Sequence, residues 1–237
     1  MMRWLCVVIS GLFLCQCAGD PAARKGFVPG DVNMRAAQRA LVGVTQLVPD
    51  AVVDMRYITK ENVTYQGLYP VHLPCVLHVT TARKLAVAAD ILRPQGYRLK
   101  IWDAWRPPEV QVSLFEHGGR TGMFADPSIV WSRHCSGTAV DLTLTDLKGR
   151  EVKMPTGFDE GGPLSYYLYS GSDPEVRRNL SALQQAMLTA GFTMLDTEWW
   201  HFDDADYNNA TPPPVVFASE LGIQLPQINK PRSRSRR

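Results

Sequence analysis

Cysteine is scarce in the body of this chain. Of five among 237 residues, Cys6, Cys15 and Cys17 fall within the first twenty positions, leaving only Cys75 and Cys135 beyond them. One disulfide is then the most the body can form in an oxidising compartment, and two separate buried thiols are the alternative. With 45% hydrophobic residues the chain can build a substantial core without covalent staples. There is no internal repeat, no glycine-rich phosphate loop and no Gly-x-Ser-x-Gly nucleophile elbow. Repeat architectures, P-loop chemistry and that type of serine hydrolase are therefore excluded. An excess of positive charge is missing too, despite the formal +2. Setting aside Arg3 and the five tail cations Lys230, Arg232, Arg234, Arg236 and Arg237 takes 25 basic residues to 19, against 23 acidic. A body near −4 is not that of a nucleic-acid-binding protein.

Arg3 precedes the apolar run Trp4 to Leu14, which is too short to cross a bilayer but has the length of a signal-peptide core. Residues 1–20 are predicted to be a leader that exports the protein, to the periplasm. Cys17-Ala18-Gly19 offers a small-residue cleavage site, and Leu14-Cys15-Gln16-Cys17, a poor acylation box, leaves lipoprotein anchoring as the alternative. Residues 27–227 read as a single domain and 228–237 as a disordered basic tail. That tail is solvated, or else makes weak contact with anionic lipid or cell-wall polymer.

Within the body, Leu47 to Tyr57 contains an alternating stretch that predicts a strand, and Asn62 to Leu73 is turn-rich loop. A helix capped by Thr80 or Thr81 is predicted through Leu92, with Leu85, Ala88, Ala89 and Leu92 on one face and Gly96 ending it. Tyr97 to Asp103 alternates as a strand, and Pro107-Pro108 then starts a helix over Glu109 to His117. Thr138 to Leu144 alternates again, with Ala139, Asp141 and Thr143 on one face and Val140, Leu142 and Leu144 on the other. Asp173-Pro174 opens a helix to Ala190, Gly191 ends it, and Phe192 to Phe202 reads as a last strand region. Helices and strands do not alternate strictly, which predicts an α+β fold with a mostly antiparallel sheet flanked by helices.

Two of the five histidines have company that suggests chemistry. His134 precedes Ser136-Gly137, a tight turn, and then Asp141 on the new strand, so that loop and strand can aim a nitrogen and an oxygen at one point. The alternative is a histidine capping a turn beside an exposed strand aspartate. Glu198 and His201 lie three apart among tryptophans, a spacing that converges only if the strand is bulged. A carboxylate beside two tryptophans is partly desolvated, and its pKa tends upward to where a general base works. Two His and one Asp supply three metal ligands, Glu198 is free to handle protons, and water can fill the open position: the set suits a zinc hydrolase. Arg106, held by two prolines after a strand, is either a fixed cation for an oxyanion or one half of a surface ion pair.

The stretches WDAWRP (102–107), SRHCSGTAVDLTL (132–144), MPTGFDE (154–160) and TEWWHF (197–202) resemble, in order and approximate spacing, the zinc D-alanyl-D-alanine dipeptidases. This family of M15 peptidases includes the enzymes of vancomycin-resistance clusters. The resemblance spans about residues 47–203. It implies a zinc D,D-peptidase/hedgehog-like scaffold holding one Zn2+ per chain on His134, Asp141 and His201. It places the catalytic carboxylate at Glu198 and the transition-state arginine at Arg106. It further implies that Ser132 helps bind the carboxylate of the substrate and Asp159 its ammonium, as a zwitterionic dipeptide requires. The implied activity is hydrolysis of D-Ala-D-Ala, linked to peptidoglycan turnover. The rival on the same scaffold is a zinc D,D-carboxypeptidase trimming stem peptides, and a rival of another class is a zinc-containing binding module without catalysis. Cys135 departs from the family's usual serine, and three readings are open for it: a fourth ligand, a disulfide partner of Cys75, or an inert substitution. The export signal is a second departure, since the resistance enzymes act in the cytoplasm.

Overall fold

In the computed structural model, which describes residues 29–118 and 122–228, the chain runs α1 (Pro29–Gln38), β1 (Leu41–Gly43), α2 (Val44–Leu47), β2 (Val52–Val53), β3 (Val76–His78), α3 (Val79–Leu92), β4 (Tyr97–Asp103), α4 (Pro108–Gly118), β5 (Ala139–Asp146), α5 (Pro174–Thr189), β6 (Phe192–Leu195) and β7 (Glu198–Asp204). The leader expected at 1–20 lies outside the described residues, as does the tail expected at 228–237 apart from Ile228. Five strands form one sheet in the order β2-β4-β5-β7-β6, and β1 pairs with β3 beside it. Among the described residues only the β2–β4 pair is parallel; the other strand pairs of both sheets are antiparallel. The predicted α+β class with a mostly antiparallel sheet is what the chain adopts.

Local differences from the sequence reading have physical causes. The strand expected within Leu47–Tyr57 shrinks to Val52–Val53, and a 3-10 turn follows at Arg56–Ile58. Helix α3 begins at Val79 rather than behind a threonine cap, because both threonine hydroxyls bond elsewhere: Thr80 Oγ1 with His78 Nδ1 at 2.8 Å, and Thr81 Oγ1 to Asp204 Oδ2 at 2.7 Å. Its apolar face, Leu85, Ala88, Ala89 and Leu92, is buried as the spacing predicts. Asp173 does cap α5, accepting from Glu175 N at 2.8 Å. The last strand region divides into the hairpin β6–β7.

The core centres on Trp105, Trp199, Trp200, Tyr57, Phe192 and Phe202 with Leu99 and Ile101, all fully buried. Each Leu- or Phe-sized side chain so removed from water contributes about 1.5–3 kcal/mol. Helices α3 and α5 pack on each other and reach β4 and β5 respectively. Trp105 also uses its indole: Nε1 donates to Val216 O at 3.0 Å, and Val216 N donates to Cys135 O at 2.9 Å. The C-terminal segment is thereby pinned to the turn that carries His134.

Candidate active site

Strand register brings the central acidic and imidazole groups into one row. Asp103 on β4 lies opposite Asp141 on β5, and Asp141 lies opposite His201 on β7. A bulge between Ile101 and Asp103 turns Asp103 into that row. His134 reaches the same point from the 3-10 turn Arg133–Ser136, which Ser132 caps and Gly137 ends with φ 70°. A Cβ at Gly137 would stand 2.8 Å from His78 N, so both the positive φ and the close approach of β3 demand glycine there.

His134 Nε2, His201 Nδ1 and Asp141 Oδ1 converge. The separations are 3.2 Å between the two nitrogens, 2.9 Å from His201 to Asp141 and 3.3 Å from His134 to Asp141. Outer partners fix the ring protons. His134 Nδ1 lies 2.8 Å from Ala104 O, which can only accept, and His201 Nε2 lies 3.0 Å from the Asp203 carboxylate. With those outer nitrogens protonated, the two inner nitrogens and a carboxylate oxygen are left facing one point, an arrangement that a shared cation, proton or metal ion, satisfies. Tetrahedral zinc ligands at about 2.0–2.1 Å stand about 3.4 Å apart, close to the separations here. The donor set fits a metal ion. Burial opposes charge on Asp141, yet the two imidazoles outweigh it and hold its carboxyl well below the usual range. Burial likewise opposes charge on His201, but Asp203 and Asp141 together raise its pKa well above the ordinary value.

Glu198 enters through a second irregularity. Met194 pairs with Phe202 and the next residue, Leu195, with Glu198, so that Trp199, Trp200 and His201 form a bulge on β7. The expected obstacle to convergence, three residues along a strand, is removed in this way, and Glu198 and His201 line one cleft. Glu198 is 7% exposed, its Oε1 has no hydrogen-bond partner, and burial pushes its pKa up to about 7.

Arg106 is buried, not a member of a surface pair. Nε donates to Asp103 Oδ2 at 2.8 Å, Nη1 to Gln111 Oε1 at 2.7 Å and Nη2 to Asp141 Oδ2 at 3.4 Å, while the Tyr57 ring lies 5.2 Å from Cζ. Three of its five N–H groups are engaged and two remain. Asp141, too, is 2% exposed, contrary to the reading of an exposed strand aspartate. Asp159, at φ 58°, accepts from Tyr57 Oη at 3.2 Å and from Val63 N at 3.3 Å. Burial raises its carboxyl to about 7, against the lowering effect of Arg106. Ser132 Oγ accepts from His134 N at 3.4 Å.

All seven residues singled out in the sequence, Arg106, Ser132, His134, Asp141, Asp159, Glu198 and His201, line a single cleft of about 320 Å³. That volume is at the small end for ligand sites. Cys75 and Cys135 are free thiols, Cys135 is buried and pushed up to about 12 by burial, and among the described residues the donor cluster comprises only His134, Asp141 and His201. The inert-substitution reading of Cys135 fits this placement; the bridged and metal-bound readings do not. Sequence reasoning missed Asp103, Gln111, Tyr57, Arg133 and Asp203. Two of these carried a signal: Asp103 stands three residues before Arg106 in the same short motif, and Asp203 stands two after His201, on the same face of a strand.

A family model for M15 peptidases, described as D-ala-D-ala dipeptidase, matches residues 37–216. The D-alanyl-D-alanine dipeptidase of Escherichia coli (strain K12) is 33% identical over 163 residues, covering 69% of this chain and 83% of that protein. The protein of the same name from Enterococcus faecium is 28% identical over 178 residues, 66% of this chain and 88% of its own. That from Synechocystis sp. is 28% identical over 185 residues, 60% and 72%.

Proposed function

Because the chain belongs to the D-ala-D-ala dipeptidase family of M15 peptidases, we propose that it hydrolyses the peptide bond of D-alanyl-D-alanine, with zinc as its metal. It is a hydrolase of the metallopeptidase class. The observation that carries the reading is the set of three inward-facing donor atoms, 2.9–3.3 Å apart, beside a buried glutamate with an unpartnered oxygen.

His134, Asp141 and His201 would hold the zinc ion, which would supply Lewis acidity toward the scissile carbonyl and toward water. Glu198 accepts the proton of the attacking water on its free Oε1 and returns it to the leaving amine, a task suited by a pKa near neutrality. The two spare N–H groups of Arg106 meet the negative charge that develops on the carbonyl oxygen, and the fixed network around the guanidinium spares reorganisation at that moment. Asp159 receives the substrate ammonium and Ser132 donates to its carboxylate. Residues 1–20 support export to the periplasm, where D-Ala-D-Ala released from peptidoglycan is the substrate source this reading requires.

The test is to incubate zinc-loaded protein with D-Ala-D-Ala and, separately, with a stem pentapeptide ending in the same unit, and to measure D-alanine release. Faster turnover of the dipeptide is expected. Preference for the pentapeptide replaces this reading with that of a D,D-carboxypeptidase.

A further inference from the structure

We propose that Gln111 is a positioning residue for the reaction: it ties the Nη1 end of Arg106 to the wall of the cleft and so decides which N–H groups of the guanidinium are left for the carbonyl oxygen. The inference rests on the dipeptidase reading above. Gln111 is wholly buried and stands behind the cleft rather than in it. Its Oε1 accepts from Arg106 Nη1 at 2.7 Å, and its Nε2 donates to Ala125 O at 2.9 Å. The amide has one possible orientation, since a guanidinium only donates and a carbonyl only accepts. Ala125, with Met123 and Phe124, lines the cleft together with Arg106. Gln111 therefore joins the guanidinium to the backbone of a segment that forms the cleft wall.

Of the three side chains that accept from the guanidinium, Gln111 is the uncharged one. Nε and Nη2 donate to the carboxylates of Asp103 and Asp141, and the rings of Tyr57 and Phe124 lie 5.2 and 6.0 Å from Cζ. The bond to Asp141 is 3.4 Å long, so the 2.7 Å bond to Gln111 is the short one at the terminal nitrogens. Loss of it leaves two carboxylates to set the guanidinium, with nothing to hold Nη1. A third carboxylate at this position would offset positive charge that the oxyanion needs and would face the Ala125 carbonyl with an acceptor; a neutral amide does neither. The placement follows from local sequence. Arg106 N donates to His134 O at 3.1 Å, which fixes the arginine backbone against the turn that carries a metal ligand. Pro107 and Pro108 lead into α4, and Gln111 N donates to Pro107 O at 3.1 Å, so the first turn of the helix brings Gln111 back to the arginine.

The experiment compares the zinc-loaded wild type with Gln111→Met, which keeps the length and loses both hydrogen bonds, and with Gln111→Asn, whose amide is one methylene too short to reach both partners. For either variant kcat on D-Ala-D-Ala is expected to fall about 10- to 100-fold, the range set by one hydrogen bond to a charged group, with KM and zinc content unchanged. Inhibition by a phosphinate analogue of the dipeptide, whose tetrahedral phosphorus stands in for the attacked carbonyl, is expected to weaken by the same factor, as an effect confined to the transition state requires. Crystal structures of the zinc-loaded wild type and variants are expected to show the guanidinium turned or spread over two positions, with His134, Asp141 and His201 unmoved. An unchanged kcat, a loss carried by KM or by zinc, or a guanidinium that stays in place overturns the proposal. If the wild type turns over a stem pentapeptide and not the dipeptide, the dipeptidase reading falls and the kcat comparison is made on the pentapeptide. If it turns over neither, the crystal structures decide the positioning of Arg106 by themselves.

Discussion

Arg106 Nε donates to Asp103 Oδ2 at 2.8 Å between side chains that are almost wholly withdrawn from water. Asp103 is held in turn by Tyr69 Oη at 2.7 Å and Ala104 N at 3.0 Å, so the carboxylate has no freedom to follow a displaced partner. Arg106→Gln is therefore expected to do two things. It should lower kcat about 10²–10³-fold, as loss of an oxyanion donor does. It should also destabilise the fold by about 3–5 kcal/mol, because the buried Asp103 charge is left uncompensated. Activity assays at a temperature where the variant stays folded, alongside denaturant unfolding, read the two effects; a stable but inactive variant would discard the structural part of the argument.

The bond from His201 Nε2 to Asp203 Oδ1, 3.0 Å long, orients the ring so that Nδ1 faces Asp141 and His134. Removing that outer partner leaves all three donors in place. Asp203→Ala is expected to weaken zinc binding about 10- to 100-fold while activity returns at excess metal. Competition with a chelating dye gives the affinity. In the wild type, chelator alone should lower Tm and added zinc should raise it, since the ion binds the folded chain preferentially. Unchanged affinity in Asp203→Ala would mean that the remaining contacts of the ring, the Asp141 carboxylate and the His134 ring 5.0 Å away between centroids, set its orientation without that hydrogen bond.

Glu198→Gln preserves shape but cannot shuttle a proton. It is expected to reduce turnover by about 10²–10⁴-fold with zinc content intact. Metal analysis together with D-alanine release checks this, and substantial residual activity would move the base elsewhere.

The legibility of this site in the sequence was uneven, for physical reasons. His134, Asp141, Glu198, His201 and Arg106 announced themselves by residue type and short spacing, and Tyr97–Asp103 by a strand alternation that the structure keeps to the residue. What spacing did not carry was convergence. Glu198 and His201 share a cleft only because three residues of β7 fall between consecutive partners on β6, a property of strand pairing. Burial was equally hidden. Asp141 looked exposed because its neighbours on one strand face are small, but both faces of β5 are covered. The Val63 amide and the Tyr57 hydroxyl that receive Asp159 come from a segment about a hundred positions earlier, and no local pattern links them.

Asp159 offers a test by pH. Burial raises its carboxyl to about 7, whereas in the unfolded chain an aspartate titrates near 3.9. Between those values the folded protein holds a proton that the unfolded chain has lost. Its contribution to stability is thus fully present below about pH 4 and is lost as pH rises through about 7. Asp159→Asn removes this titration while its amide oxygen still accepts from Val63 N. In metal-free protein the variant is expected to gain on the wild type as pH rises from 4.5 to 8, and to be the more stable of the two at pH 8. The same substitution should raise KM for D-Ala-D-Ala, because the negative charge that burial disfavours is the one that receives the ammonium. Urea unfolding of both proteins across that range measures the difference, and parallel stability curves would show that Asp159 is ionised in the folded state at little cost.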